Sequence, residues 1–421
     1  MSDIETFGET LPGMMIESVV DPHNVDQLLL HTWNGRATTT SRVEHCGKCY
    51  ISKKRTDGLV QSVRFARPSS PYGSTPKLVS SLRDLLCGDA HLQPEVGDLL
   101  VAFVLATWFS DCMLVAPVLH LFGPNNEVSH VLRLLGCCCR RSVLLGELDL
   151  GTLASLPSRL NPTLLINQPA LGKRLKRALC ASNRRHFCVF RGRTRLDVYG
   201  ARAFSCDGAL VDEHGLRVSL SPAQDPLPIL TDAEEEAIAQ NIQPGLLRYR
   251  MVNYALVHAK RIDCRAFAPE MREEVRSWLA PICDCSELTK TVFEKLLRQS
   301  REVDGARFFD PKCLVVEAAL SFCHKRDTQH FLVGEVAEKV NALLKGRHEE
   351  STMSARGVGS VLSELGIHRE RVVQGYKIGL TKAVREQIHQ LASAYRVLSV
   401  EDGVRRCSFC AERGASSNRI Q

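Results

Sequence analysis

Between residues 115 and 166 the chain carries three short apolar runs, "VAPVLHLF" (Val115–Phe122), "SVLL" (Ser142–Leu145) and "PTLLI" (Pro162–Ile166). Runs of this length without polar alternation suit strands covered on both faces, as in the centre of a parallel sheet flanked by helices. Helix-periodic stretches at Val128–Cys138 and Ala170–Ser182 supply the cover. A β-rich stretch from Phe187 to Leu220 ("FCVFRG", "LDVYG", "ARAFS", "LRVSL") adds strands and a hairpin. The expected class is therefore α/β, with a parallel-sheet core and flanking helices.

What surrounds this core is less regular. Residues 1–76 are polar and β-leaning and end in the turn-rich "RPSSPYGSTPK", so they read as a small N-terminal segment and linker. Leu78–Leu86 and Pro94–Trp108 are helical by spacing, and the core is expected to span 77–260. An acidic helix from Asp232 to Ile242 leads into a helical connector, 261–305. From 306 to 400 the pattern sharpens. Helices at Pro311–Cys323, around Leu332–Leu343 and around Val358–Leu365 precede two β runs about Gln374-Gly375, and a last helix carries Val384, Ile388 and Leu391. Three helices followed by a hairpin is the order of a winged helix-turn-helix. Residues 401–421 read as a polar tail.

Composition excludes several classes. Most of the 17 cysteines sit in apolar contexts, as in "ALSFCHK", which favours free buried thiols in a reducing compartment over a disulfide framework. No basic, apolar leader opens the chain. The longest apolar run, Leu99–Phe109, is too short to span a bilayer, so a cytoplasmic protein with no membrane partner is expected. The net charge of +7 is compatible with nucleic acid. No G-x-S-x-G or Cys–His signature of nucleophilic catalysis occurs.

The chemistry concentrates in "HLFGPNNEVSHVLRLL", His120–Leu135. A strand ends at Gly123 and a helix follows, which is the layout of a phosphate-binding G-x-x-x-x-G-K-[ST] loop. About forty residues on, "TLLI" ends in Asn167-Gln168, where a P-loop ATPase carries an aspartate for Mg²⁺ and a glutamate to polarise water. The chain resembles the AAA+-like P-loop ATPase domains of plasmid- and phage-type DNA primase–helicases, whose cores read like "GPPGSGKT…LLIDE". "ALCASNRRHFCVFRG", "VYGARAFSC" and "LRVSL…LPIL" look like the stretch after the second motif. "SARGVGSVLSELGI…GYKIGL…REQIHQLASAY" is similar to the family's C-terminal winged helix, so the likeness covers roughly residues 78–400.

The departures matter as much as the likeness. Val128, Ser129 and His130 stand where the loop needs glycine, lysine and a hydroxyl, Glu127 puts a carboxylate where phosphates would sit, and Asn167 and Gln168 are uncharged. The resemblance implies a degenerate nucleotide site built from Gly123, Pro124, Asn125, Asn126, Ser129, His130, Asn167, Gln168 and Arg217. Arg217 is the counterpart of an arginine that reaches a neighbouring subunit, or simply an exposed strand arginine. ATP and Mg²⁺ are then cofactors only if the site still binds. A helicase- or primase-like protein of mobile-element type without ATPase chemistry is implied. A non-enzymatic DNA-binding regulator and an ATPase with an atypical loop stay open, as does a ring or hetero-oligomer with an active paralogue.

DNA is the expected partner. In the winged helix, the third helix and the hairpin would present Arg356, Ser360, Arg369, Arg371 and Lys377 to phosphates. A second basic cluster, which includes Lys173, Arg177, Arg184 and Arg185, reads either as a phosphate track or as a solvated helix face. The two C-x-x-C pairs, Cys46/Cys49 and Cys407/Cys410, would supply four thiolates to a zinc ion if the termini met, and are otherwise free thiols.

Overall fold

The computed structural model describes residues 3–55, 58–157, 160–168, 171–172, 174–175, 178–179, 183–185, 189–191, 194–196, 199–205, 215–267, 271–307, 309–325, 328–347, 349–395 and 397. The chain divides into two compact units, residues 1–300 and 301–421.

Unit 1 begins with seven strands, β1 (Asp3–Thr6), β2 (Gly8–Leu11), β3 (Met14–Asp21), β4 (Asn24–Trp33), β5 (Ala37–Thr40), β6 (Arg42–His45) and β7 (Lys48–Ser52). They form a four-stranded antiparallel sheet in the order β2-β3-β4-β5 and a three-stranded sheet in the order β1-β7-β6. The short helix α1 (Gly58–Gln61) follows, then α2 (Thr75–Asp89), whose N-cap Ser74 accepts from the Lys77 amide, and α3 (Pro94–Thr107). Every residue of α3 from Gly97 to Thr107 is buried, which is the fate of a helix that is apolar all round.

The core sheet is built from β8 (Val118–Phe122), β9 (Ser142–Leu145), β10 (Thr163–Ile166), β13 (Arg202–Ser205) and β14 (Leu216–Ser219). Its order is β14-β8-β13-β10-β9, and every pairing in it is parallel. Between β10 and β13 lies the antiparallel hairpin β11 (Val189–Arg191) and β12 (Thr194–Leu196). The helices α4 (Asn125–Cys138) and α5 (Leu150–Ala154) belong to the crossovers, and α6 (Asp232–Ala259), α7 (Arg272–Leu279) and α8 (Ser286–Arg307) follow the sheet. The sheet is thus flanked by helices, consistent with a P-loop-type core. The acidic helix expected to end at Ile242 continues to Ala259 through Pro244, with a Thr231/Glu234 capping box at its start.

The boundaries expected at residues 76 and 260 both fall inside this unit. Buried charges tie its parts together. Glu17 on β3 accepts from Arg140 (2.8 Å) and Arg141 (2.6 Å), which follow α4, and from Arg250 on α6 (2.8 Å). Arg250 also forks onto both oxygens of Asp111, at 2.7 and 2.6 Å. Trp278 on α7 lies fully buried in the same apolar core as α3, tilted against Phe103.

Unit 2 consists of α9 (Pro311–Cys323), β15 (His330–Leu332), α10 (Val333–Gly346), α11 (Ala355–Glu364), β16 (Glu370–Val372), β17 (Gly375–Gly379) and α12 (Lys382–Ala394). The strands form an antiparallel sheet in the order β15-β17-β16, and the helices enclose a core of their own that includes Val316, Val336, Val358, Leu362, Ile378 and Ile388. The hairpin turns at Val373-Gln374, one residue earlier than its composition suggested. Gly375 then pairs with Val372 at φ +122°, a backbone that favours glycine.

Candidate functional site

The carboxyl edge of a parallel sheet is where α/β proteins place ligands, at loops leaving adjacent strands. The loop that leaves β8, which lies between β14 and β13, is only Gly123 and Pro124, because α4 already begins at Asn125. The Val128 amide donates to the Pro124 carbonyl as an ordinary helical bond, and the Val128 side chain is buried in the core. Residues 125–130 therefore form the first turns of a helix. A phosphate cradle needs their amides spread around a ligand.

The flanks of the loop are occupied by the chain itself. Glu127, in the first turn of α4, accepts from the Ala223 amide at 3.0 Å, and the Leu220 amide donates to the Phe122 carbonyl at 2.7 Å. Gly123 sits at φ +151°, and a Cβ there would lie 2.7 Å from the Leu220 carbonyl oxygen. Its glycine serves a close chain crossing. Asn125 and Asn126 are exposed. His130 is buried and bonds through Nε2 to the carbonyl of Asp89 at the end of α2, 2.9 Å away; burial pushes its imidazole below the ordinary histidine range. It is a helix-packing residue.

The fold does bring the two motif positions together. Asn167, just past β10, donates from Nδ2 to Ser129 Oγ at 2.8 Å, and its own amide donates to the Leu145 carbonyl. Gln168 accepts from the Leu148 amide at 2.8 Å. Ser129 and Asn167 stand where the resemblance calls for a phosphate-neutralising lysine and a Mg²⁺-binding aspartate, and here a hydroxyl meets an amide. Arg217 lies inside β14 opposite His120 rather than at the strand's end, and its backbone amide donates to Gln299.

Arg185 is committed within the fold. It donates to the Asp111 carbonyl and lies 5.3 Å above the Tyr199 ring, while Arg184 bridges to Val115. Lys173 and Arg177 lie outside the described residues. Cys46 and Gly47 form the tight turn between β6 and β7, both at positive φ, so Cys46 is exposed while Cys49 points into the core. Among the described residues no group of three or more His, Cys, Asp or Glu could hold a metal ion, and Cys407 and Cys410 lie outside them.

In unit 2 four of the five sequence candidates lie on α11 or on the side of the hairpin that faces it. Arg356 and Ser360 are exposed on α11, whose N-cap Ser354 accepts from the Gly357 amide at 3.1 Å. Arg369 lies over the Tyr376 ring, its Cζ 4.7 Å from the centroid, and a Cβ at Gly359 would overlap its guanidinium. This one arginine joins α11 to the hairpin, and it requires glycine at 359. Arg371 pairs across the hairpin with Tyr376, so Arg369, Arg371 and Tyr376 share a face. Lys377 points to the other face and is held by Glu370 at 3.4 Å. Of the five residues singled out in the sequence, four lie towards α11 and one does not.

Sequence reasoning missed the buried charge network of unit 1. Its signal was Arg140-Arg141 set inside the apolar "LLGCCCRRSVLL", since adjacent charges in such a run are stable only if partnered.

No protein-family model matches the chain, and no curated protein matches it. Among solved structures, the A-form apo structure of the NrS-1 C-terminal region is 11% identical, with 87% of this chain and 96% of that one covered and a TM-score of 0.36. A structure of Drosophila ORC bound to DNA is 12% identical over 80% and 95% of the two chains, with a TM-score of 0.19. These scores are too low to carry a function across. Among the described residues no helix is long and apolar enough to cross a membrane.

Proposed function

We propose that this chain is a DNA-binding protein of the primase–helicase type in which the ATPase-like core has become a scaffold without nucleotide chemistry, and unit 2 is a winged helix that meets DNA. The DNA reading rests on one observation: Arg356, Arg369 and Arg371 lie on α11 and the α11-facing side of the hairpin, while Lys377 is taken up by Glu370. Side chains placed this way suit phosphate contacts, because α11 offers few long polar groups for reading bases.

The scaffold reading is supported by the two-residue connection Gly123-Pro124 and by Glu127, which accepts from Ala223 at the helix N-terminus and would repel phosphate. No ammonium stands at 129 to neutralise β- and γ-phosphates, and Asn167, which donates from Nδ2 to Ser129, carries no charge to hold Mg²⁺. ATP turnover by the full chain, with and without single-stranded DNA, should stay at background. Turnover above about 1 s⁻¹, ordinary for an enzyme, would overturn the reading and make the loop an atypical active site.

A further inference from the structure

The hairpin of unit 2 carries a feature that phosphate binding does not use. Val373, at its turn, is 106% exposed, and Tyr376 is 43% exposed with Arg369 stacked on its ring. A single exposed apolar residue means little by itself. Here, however, the valine stands at the tip of a two-residue turn, two positions after Arg371, and an aromatic platform and a second arginine lie behind it on the face towards α11. Against the rim of a continuous duplex, hydrated phosphates would leave both apolar groups uncovered. Bases would cover them.

The magnitudes decide which bases. Burying one valine side chain is worth roughly ten- to a hundredfold in affinity. That is no more than what is lost when an apolar wedge unstacks an internal base step. At the end of a duplex no stacking has to be broken, and aromatic stacking on an unpaired base is a gain of its own. Resting on the DNA-binding reading above, we propose that the Val373–Tyr376–Arg369 face is a surface for duplex–single-strand junctions. Val373 packs on the terminal base pair and Tyr376 stacks on the first unpaired base. Arg356, Arg369 and Arg371 hold the flanking phosphates.

The test measures anisotropy of the full chain with three labelled DNAs at one salt concentration: a forked duplex, a dumbbell of the same duplex sequence closed at both ends, and the single strand. The fork should bind at least tenfold more tightly than the dumbbell. Val373→Ser, at a site with no packing to lose, should remove about tenfold from fork binding and leave the dumbbell unchanged, whereas Arg356→Ala should weaken both. Equal binding of fork and dumbbell, or a Val373→Ser effect common to both, would overturn the junction proposal while leaving the DNA reading intact. Absence of binding to all three DNAs would remove both. Capture by anionic vesicles that Val373→Ser abolishes, without any fork preference, would assign the tip to lipid and overturn the proposal.

Discussion

Replacing Glu17 with glutamine should lower the stability of unit 1 by about 3–5 kcal/mol, a large part of the 5–15 kcal/mol typical of a folded protein. The side chain keeps its shape, so no cavity opens and the effect is electrostatic. Glu17 and Asp111 face Arg140, Arg141 and Arg250, two carboxylates against three guanidinium groups; Glu17 and the arginines are almost wholly buried, and Asp111 nearly so. Without the Glu17 charge, Asp111 alone faces all three, and a glutamine NH₂ would point a donor at donors. All three tryptophans, Trp33, Trp108 and Trp278, lie in unit 1, so their fluorescence in a urea titration of the full chain reports that unit selectively. A loss below about 1 kcal/mol would show that the network contributes little beyond filling space.

The same groups predict sensitivity to acid. Burial alone would push the Glu17 carboxyl up, but Arg140, Arg141 and Arg250 outweigh it and bring it down to about 2 from 4.5. Asp111 lies well below its ordinary value for the same reason, chiefly through Arg250. Buried His31, held between Thr39 and Ser69, is lowered to about 4 from 6.5 by burial and then by Arg248. Each of these folded-state values lies below its unfolded value. The stabilisation is therefore complete at high pH and is lost as pH falls, through 6.5 to 4 for His31 and then through 4.5 to 2 for Glu17. Lowering the pH from 7 to 4.5 should cost about 2–3 kcal/mol from His31 alone. Tryptophan-monitored urea midpoints at the two pH values check this, and His31→Gln should flatten the difference; an unchanged midpoint in the native chain would count against a neutral, buried His31.

What could be read in advance divides along physical lines. The runs at 118–122, 142–145 and 163–166 were legible because strands buried on both faces leave an unbroken apolar signature. Their spatial order was not, since pairing partners leave no mark in local sequence. Strand β15 was missed for a related reason: three residues carry no period, and His330–Leu332 is a strand only because β17 pairs with it. At the candidate nucleotide site the substitutions were visible as letters. The early start of α4 at Asn125 was not, because Gly123-Pro124 reads as the opening of a loop and also serves as a helix entry, with proline at the N-cap. In the hairpin the basic residues were identifiable, but the division into two faces depends on the turn. A loop one residue longer would put Arg371 on the same face as Lys377.

That division fixes how DNA affinity should respond to salt. If Arg356, Arg369 and Arg371 each neutralise a phosphate, the logarithm of the association constant should fall with the logarithm of salt concentration by about 0.9 per contact on duplex DNA. The double variant Arg356→Ala/Arg371→Ala should flatten the slope by about two and weaken binding alike on unrelated duplexes, since phosphate contacts carry no sequence information. Lys377→Ala should barely change it, because its ammonium is already paired with Glu370 on the other face of the hairpin. Gly359→Val offers an independent check. A side chain at 359 displaces the Arg369 guanidinium from its place over Tyr376, so one contact, about 0.9 in slope, should be lost without removal of any charge. The measurement is anisotropy of the full chain and its variants on two unrelated duplexes between about 50 and 200 mM salt, the range in which such contacts separate. A slope near zero in the native chain would refute phosphate binding by this surface. A loss on Lys377→Ala as large as that on Arg371→Ala would place DNA across the hairpin's other face.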